Sequence, residues 1–528
     1  MLATLISATL IGLDGRPIRV EVDVAPGLPG FTIVGLADAA LGEARERVRG
    51  AIRNAGFVYP PRRITVNLSP ADLPKAGTSA DLAIAIGILI GSEQLKPAAG
   101  RIALIGELGL GGEVRSVPGI LPMLAALRRL GVARAIVPAD AVSEARLVPG
   151  LSAVPCLALA DAVGALRARR RQAPDAPPRI ALDEDANRAD PLADRLDIRA
   201  ASTTWSPAAA VPDLTDVRGQ AEARRALEVA VAGGHGLLLI GPPGGGKTLL
   251  ARTIPGLLPP LDDAAALAAT IVASAAGEGP IVALARTAPF RAPHHTSSYA
   301  AIVGGGPQLR PGEVTRADGG TLFLDELPEF DRDVLEALRQ PLEDGHVTIA
   351  RAARTITFPA AFQLVAAMNP CRCGFAGSQR CTCPKGAPER YVGRISGPLR
   401  DRIDLWVWMP YVTGASMLNG VAPESSSVVA ARVARARDRQ LARSGGQLNA
   451  RISGRLLRAA CGLTAAVRAR SVELADAERL SGRGTDRLLR VARTIADLDG
   501  SELVGVEHVE EAARWRAPAA HSPLALAS

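Results

Sequence analysis

Aromatic residues are scarce in this 528-residue chain: Phe, Trp and Tyr together make up 3%. Stacking of bases on aromatic platforms is therefore not expected as the main mode of any nucleic-acid contact. No apolar run reaches the ~18 residues that mark a membrane span, so no partnership with a bilayer is expected. Residues 1–13 carry no basic stretch ahead of their apolar residues and read as a strand, not a secretion signal. Cysteines number only six. So few in so long a chain point to a reducing compartment, and a cytoplasmic location is expected. What the chain has is length enough for more than one domain, with three expected. It also carries a net charge of +8, mostly from arginine. That excess permits a polyanionic partner without establishing one.

Residues 1–168 read as an α+β domain. Apolar-rich runs at 5–11 and 18–24 flank Asp14-Gly15, the pattern of a hairpin. Residues 41–55 pattern as an amphipathic helix, with Glu43, Arg45, Glu46, Arg47 and Arg49 on the wet side. Strands are predicted at 64–68, 102–105 and 135–137, and a buried helix at 81–90. Residues 169–211 hold a basic run, Arg169 to Arg171, then Pro174, Pro177 and Pro178 without periodicity, and read as a linker. Strand–helix alternation over 212–412 predicts an α/β nucleotide-binding core. Residues 413–528 are read as a helical domain.

The core carries the most specific motif. Gly241-Pro242-Pro243-Gly244-Gly245-Gly246-Lys247-Thr248 fits G-x-x-x-x-G-K-[ST], between a predicted strand at 237–240 and a helix start at 249–254. Glycines let successive backbone N–H groups converge on phosphate oxygens, and the helix N-terminus adds positive potential. ATP is the expected ligand, with Lys247 on its β/γ-phosphates and Thr248 on Mg²⁺. Thr321 to Leu324 form an apolar strand that delivers Asp325 and Glu326. Asp325 is expected at Mg²⁺ and Glu326 at the attacking water. A second apolar strand, 364–368, ends in Asn369, which can orient water against the γ-phosphate; the alternative is an ordinary turn at Asn369-Pro370.

Taken together, several segments resemble the magnesium-chelatase-like AAA+ ATPases. They are Val217-Arg218-Gly219-Gln220, the phosphate loop, the Asp325-Glu326 strand, Met368-Asn369-Pro370 and the stretch from Ser396 to Asp404. The resemblance implies that Arg402 is an arginine finger reaching a neighbour's γ-phosphate, and hence a ring. It also implies a sensor-2 arginine at Arg483, with Arg487 as the substitute. Alone, Arg402 and Arg483 would read as surface salt bridges. Residues 291–312 resemble the helix-2 insertion of that group. The alternating runs 345–349 and 354–358 resemble its pre-sensor hairpin, and both line the pore in related rings. Adjacent His294 and His295 point to different sides, which favours a structural role over metal ligation.

Cys371-x-Cys373 and Cys381-x-Cys383 can close around one structural Zn²⁺; the alternative is four unmetallated thiols. Cys156 and Cys461 read as packed. In the first domain, the stretch from Pro74 to Ala80 and the glycines from Gly106 to Gly119 resemble the Lon-type peptidase fold. Ser79 falls at that family's nucleophile, but its lysine position falls near Leu121, and no lysine occurs between Lys96 and Lys247. Without an amine base Ser79 is not activated, and it reads as the N-cap of the helix at 81–90. A non-proteolytic Lon-like domain, an AAA+ core with the C-x-C pairs and a helical lid together resemble the ComM (YifB-like) family. That resemblance implies a hexameric ATP-driven motor moving branch points on DNA during recombination in natural transformation. Arg351 and Arg354 on the hairpin are expected to contact DNA phosphates, as are Arg432, Arg435, Arg437, Arg439 and Arg443 of the helix at 429–443. The competing readings are a chelatase-type ATPase driving metal insertion and an AAA+ protein remodeller.

Overall fold

The computed structural model describes residues 1–528 except 36–38, 72, 74–76, 98–99, 170–210, 307–308, 352–353, 415–422 and 517–528. The predicted linker therefore lies almost wholly outside the described residues. The chain divides into two units.

Unit 1 comprises residues 1–205, 262–286 and 305–311. Seven strands form its sheet: β1 (Leu2–Ile11), β2 (Asp14–Ala25), β3 (Gly30–Val34), β4 (Arg63–Ser69), β5 (Ile102–Leu104), β6 (Arg134–Pro138) and β7 (Ser152–Cys156). Their order is β3-β4-β2-β1-β5-β6-β7. Every second residue of β2 from Ile18 to Val24 is buried, as a strand with one covered face requires. Helices α1 (Ala39–Asn54), α2 (Asp81–Gly91) and α3 (Ile120–Arg129) accompany the sheet, and α2 is buried along its whole length. The hairpin is present, but its turn is not at Asp14-Gly15. Ile11 pairs with Asp14, so the chain reverses at Gly12-Leu13, where Gly12 takes φ +63°. Gly15 serves packing instead: a Cβ there would lie 2.2 Å from the Pro122 carbonyl oxygen of α3. A helix drawn from inside the predicted nucleotide core, Asp263–Ala276, also belongs to this unit. The Gly119 N–H donates to the Ser274 carbonyl at 2.8 Å.

Unit 2 holds a five-stranded, wholly parallel sheet. After helix α4 (Ala221–Gly233), strand β8 (Leu237–Ile240) enters helix α5 (Lys247–Arg252) through the glycine-rich loop. Strands β9 (Phe290–Arg291) and β10 (Thr321–Leu324) follow. Next come an antiparallel hairpin, β11 (His346–Arg351) with β12 (Arg354–Pro359), then β13 (Gln363–Met368) and β14 (Leu405–Trp408). The sheet order is β9-β10-β13-β8-β14. Strands β8, β10 and β13 are buried at every residue, as the continuous apolar runs of a doubly covered parallel sheet require. The C-terminal helices include α6 (Ser426–Arg443) and α7 (Gly482–Asp499), whose apolar faces join the same core. Among the described residues no helix is long and apolar enough to cross a membrane.

Candidate nucleotide site

Three neighbouring strands end side by side. Ile240 of β8 lies level with Met368 of β13, and Leu324 of β10 with Ala366. The phosphate loop, Asn369 and the Asp325-Glu326 pair therefore emerge together at the C-terminal edge of a parallel sheet, where such folds bind ligands. Gly244 and Gly246 adopt φ +78° and +84°, and nothing lies within 4 Å of either hypothetical Cβ, so the loop keeps an open concave face. Gln220, from the Val217–Gln220 segment, braces it: its amide donates to the carbonyls of Gly245 (3.2 Å) and Pro410 (2.7 Å).

Lys247 is 8% exposed, and its Nζ donates to the carbonyls of Gly241 (2.8 Å) and Pro242 (2.9 Å) and to Asn369 Oδ1 (3.1 Å). Burial lowers the Lys247 ammonium to about 8, and Asp325 and Glu326 oppose that fall. The Thr248 hydroxyl donates to Asp325 Oδ2 at 2.6 Å, and the Glu326 N–H to Asp325 Oδ1 at 3.0 Å. A hydroxyl beside a carboxylate is the hard oxygen donor set that Mg²⁺ takes. With the open loop and the buried ammonium, these residues fit a magnesium-bound nucleoside triphosphate. Glu326 itself sits in the left-handed region, φ 54° and ψ 45°, and its side chain is half exposed. Its Oε2 lies 3.1 Å from His295 Nδ1. That contact is invisible in the sequence, because it depends on the fold of the loop that follows β9.

The remaining predicted residues lie elsewhere in unit 2. Arg402 pairs with Glu343 of its own chain. Burial, then the nearby charges of Arg483, Arg487, Arg339 and Arg490, depress its guanidinium. Arg483 is exposed in the first turn of α7, whereas Arg487 is buried and donates to Asp401 Oδ1 at 3.3 Å. Arg351 and Arg354 face each other across the hairpin tip in backbone register.

The α6 arginines overturn the expectation of a phosphate-binding face. Arg432 pairs with Glu228 and Glu424, Arg437 donates to the Val231 carbonyl, Arg439 to the Asp497 carbonyl, and Arg443 to the Asp497 carboxylate. These four tie the helix to its own unit; Arg435 is exposed. Basic residues at helical spacing do not reveal which face packs.

The four cysteine sulfurs lie within 4.8 Å of one another, with Cys371 to Cys373 at 3.3 Å and Cys373 to Cys381 at 3.7 Å. Four thiolates about 2.3 Å from a tetrahedral Zn²⁺ stand roughly 3.8 Å apart, so the set fits that ion. Burial pushes the Cys373 thiol up, but backbone N–H groups of Phe375 and Thr382 and the thiols of Cys371 and Cys383 outweigh it, drawing the thiol down to about 6. The cysteine loop touches the phosphate loop: a Cβ on Gly374, at φ +87°, would lie 2.6 Å from Pro243 Cδ. Cys156 and Cys461 are buried singly.

In unit 1 the N-cap reading of Ser79 is wrong. Ala80 is the residue preceding α2 and no side chain caps it. The Ser79 hydroxyl donates instead to the Ala8 carbonyl of β1 at 2.8 Å. Leu121 is buried, and its N–H donates to Glu144 Oε1 at 2.9 Å, with no lysine in its place.

Three family descriptions match along the chain. "Subunit ChlI of Mg-chelatase" covers residues 20–141, "Magnesium chelatase, subunit ChlI" residues 213–417, and its C-terminal part residues 423–516. The uncharacterized protein YifB of Escherichia coli is 41% identical over 96% of this chain and 95% of its own. Competence protein ComM of Haemophilus influenzae is 40% identical over 98% of this chain and 97% of its own. Lon protease of Clostridioides difficile is 25% identical over 26% of this chain and 18% of its own.

Proposed function

Since this chain belongs to the ComM (YifB-like) family of magnesium-chelatase-like AAA+ ATPases, we propose that it is an ATP-hydrolysing ring motor acting on DNA. The observation that carries the ATPase reading is the convergence of Lys247, Thr248, Asp325 and Asn369 on one sheet edge. Lys247 exchanges the carbonyls of Gly241 and Pro242 for β/γ-phosphate oxygens. Thr248 and Asp325 hold Mg²⁺, which neutralises phosphate charge when bound. Asn369 orients the attacking water and Glu326 polarises it. Arg402 serves a neighbouring subunit's γ-phosphate, so the working form is a ring, read as a hexamer. The lid contributes Arg483. The cysteines hold one Zn²⁺ as a closed structural site, and unit 1 is a non-proteolytic scaffold, which suits the Ser79 hydroxyl bonded to Ala8.

Branch migration during recombination of incoming DNA, in the cytoplasm, is the finer reading. It is supported by full-length likeness to a competence protein and by the arginine pair at the hairpin tip. Branched DNA should stimulate ATP turnover more than unfolded protein does. Replacing Arg351 and Arg354 with Ala should weaken DNA binding for all sequences alike. It should also lower the salt slope by about two. An unchanged slope with intact rings rejects the hairpin as the contact.

A further inference from the structure

His235 and Thr494 lie in the seam between the parallel sheet and helix α7, and both are 0% exposed. His235 shortly precedes β8. Leu237 of β8 is level with Leu405 of β14, so Asp404, at the foot of β14, stands beside the histidine. Asp404 Oδ2 accepts the Gly236 N–H at 3.2 Å and is hydrogen-bonded to His235 Nδ1 at 3.3 Å. Burial opposes a charge on Asp404, but the bond and charge of His235, with Arg487 and Arg490 beyond, hold its carboxyl below the usual range. An ionised carboxylate only accepts, so Nδ1 carries a proton. The other ring nitrogen, Nε2, meets the Thr494 hydroxyl of α7 at 2.8 Å. The Asn449 amide donates to the same hydroxyl at 3.0 Å and to Asp497 Oδ2 at 2.8 Å. A buried chain of hydrogen bonds thus runs from Asn449 and Thr494 through His235 to Asp404. Such a chain, once satisfied, fixes one arrangement of the elements it joins.

Asp404 is two residues from Arg402. On the other side of Arg402, Asp401 Oδ1 accepts from Arg487 at 3.3 Å. Arg487 precedes Thr494 by about two turns on one face of α7. Arg402 is therefore bracketed by two attachments to a single helix. The backbone there is close-packed: a Cβ on Gly236 would lie 2.8 Å from the Arg402 carbonyl oxygen. The guanidinium has Glu343 as a counter-charge but is repelled by Arg483, Arg487, Arg339 and Arg490. Like charges do not hold a cation in place, so the backbone from Asp401 to Asp404 must aim it.

We propose that His235 and Thr494 are positioning residues for Arg402: through Asp404 they lock the Arg402 segment to α7 of the same chain, and so aim the guanidinium at the neighbouring subunit. The inference rests on the assignment of Arg402 as the finger.

Steady-state ATPase kinetics on full-length rings, pure and mixed, test it. Thr494→Val keeps the shape and loses the hydroxyl. ATP binding and KM should stay as they are. The kcat should fall roughly ten- to hundredfold, as when a catalytic group is displaced by about 1 Å. Thr494→Ser, which keeps the hydroxyl, should turn over as the natural protein does. Mixed rings locate the defect. Thr494→Val with Lys247→Ala should regain activity, because the Lys247→Ala subunit lends a sound finger to an intact site. Thr494→Val with Arg402→Ala should regain none, because neither subunit supplies a finger. A fault in the variant's own nucleotide site predicts the reverse pattern, and that result overturns the proposal. So does an unchanged kcat in folded Thr494→Val, or equal loss in Thr494→Ser. Should Thr494→Val fail to fold, Asp401→Ala cuts the other, exposed attachment and must give the same pattern of rescue. Arg402→Ala is the control for the premise. If its pure rings hydrolyse ATP normally, the finger assignment fails and the positioning role with it. If Arg402→Ala is impaired and rescued by Lys247→Ala while Thr494→Val is normal, the positioning role alone fails.

Discussion

Lys247 is an ammonium held among carbonyl oxygens and one amide, and its charge is maintained against burial by Asp325 and Glu326. A free-protein value of about 8 has a direct consequence. Phosphate binds the charged form, so ATP affinity should be flat below pH 8 and fall above it, by up to about tenfold per unit. Titrating a fluorescent ATP analogue between pH 7 and 9 checks this; a flat profile contradicts it. Lys247→Ala should abolish binding outright, because the phosphate charge is left unanswered, whereas Glu326→Gln should bind ATP and stall. Separate binding and hydrolysis assays distinguish the two. At this scale the sequence was most informative where spacing encodes geometry: a phosphate loop fixes the place of Lys247 and Thr248 on its own. It was silent about His295, whose partner is brought to it by the pairing of β9 with β10.

At the scale of elements, the cysteine loop is the clearest case of one segment shaping another. It begins two residues after Asn369, and Gly374 lies directly against Pro243 of the phosphate loop. Gly374→Ala combines a left-handed backbone with a 2.6 Å clash, a strain on the order of 1–3 kcal/mol. It should weaken ATP binding severalfold while leaving about one zinc per chain. Metal analysis and nucleotide titration on the same preparation test both halves. Metal-free protein with full activity would rule zinc out. The strands of the parallel sheet were legible because doubly buried strands read as unbroken apolar runs. The hairpin turn was not. Asp-Gly is a strong turn signal, but here Gly15 is needed so that α3 can approach β2, and Gly12 makes the bend. The α6 arginines misled for a related reason: charge on a helix says nothing about whether Glu228, Glu424 and Asp497 wait on the facing elements.

For the whole molecule, the ring reading turns on Arg402. Within one chain it is paired with Glu343 and pressed by four other arginines. A second subunit's phosphates would relieve that repulsion. Mixing Arg402→Ala with Lys247→Ala subunits should restore part of the ATPase activity that each lacks alone, since one intact interface can form between them. Mixed rings that assemble and show no activity at any ratio would count against a finger at this position. The alternation of strand and helix announced the α/β core, but it could not announce that a helix within that stretch belongs to unit 1. That assignment depends on contacts such as Gly119 with Ser274, across a long stretch of sequence.

That borrowed helix also sets an order of events during synthesis. Domains fold as units as the chain leaves the ribosome. Unit 1 lacks Asp263–Ala276 until the linker, β8 and the phosphate loop have all been translated. Until then the Gly119 amide and Glu144 lack their partner Ser274, and the flank of α3 that this helix covers stays open.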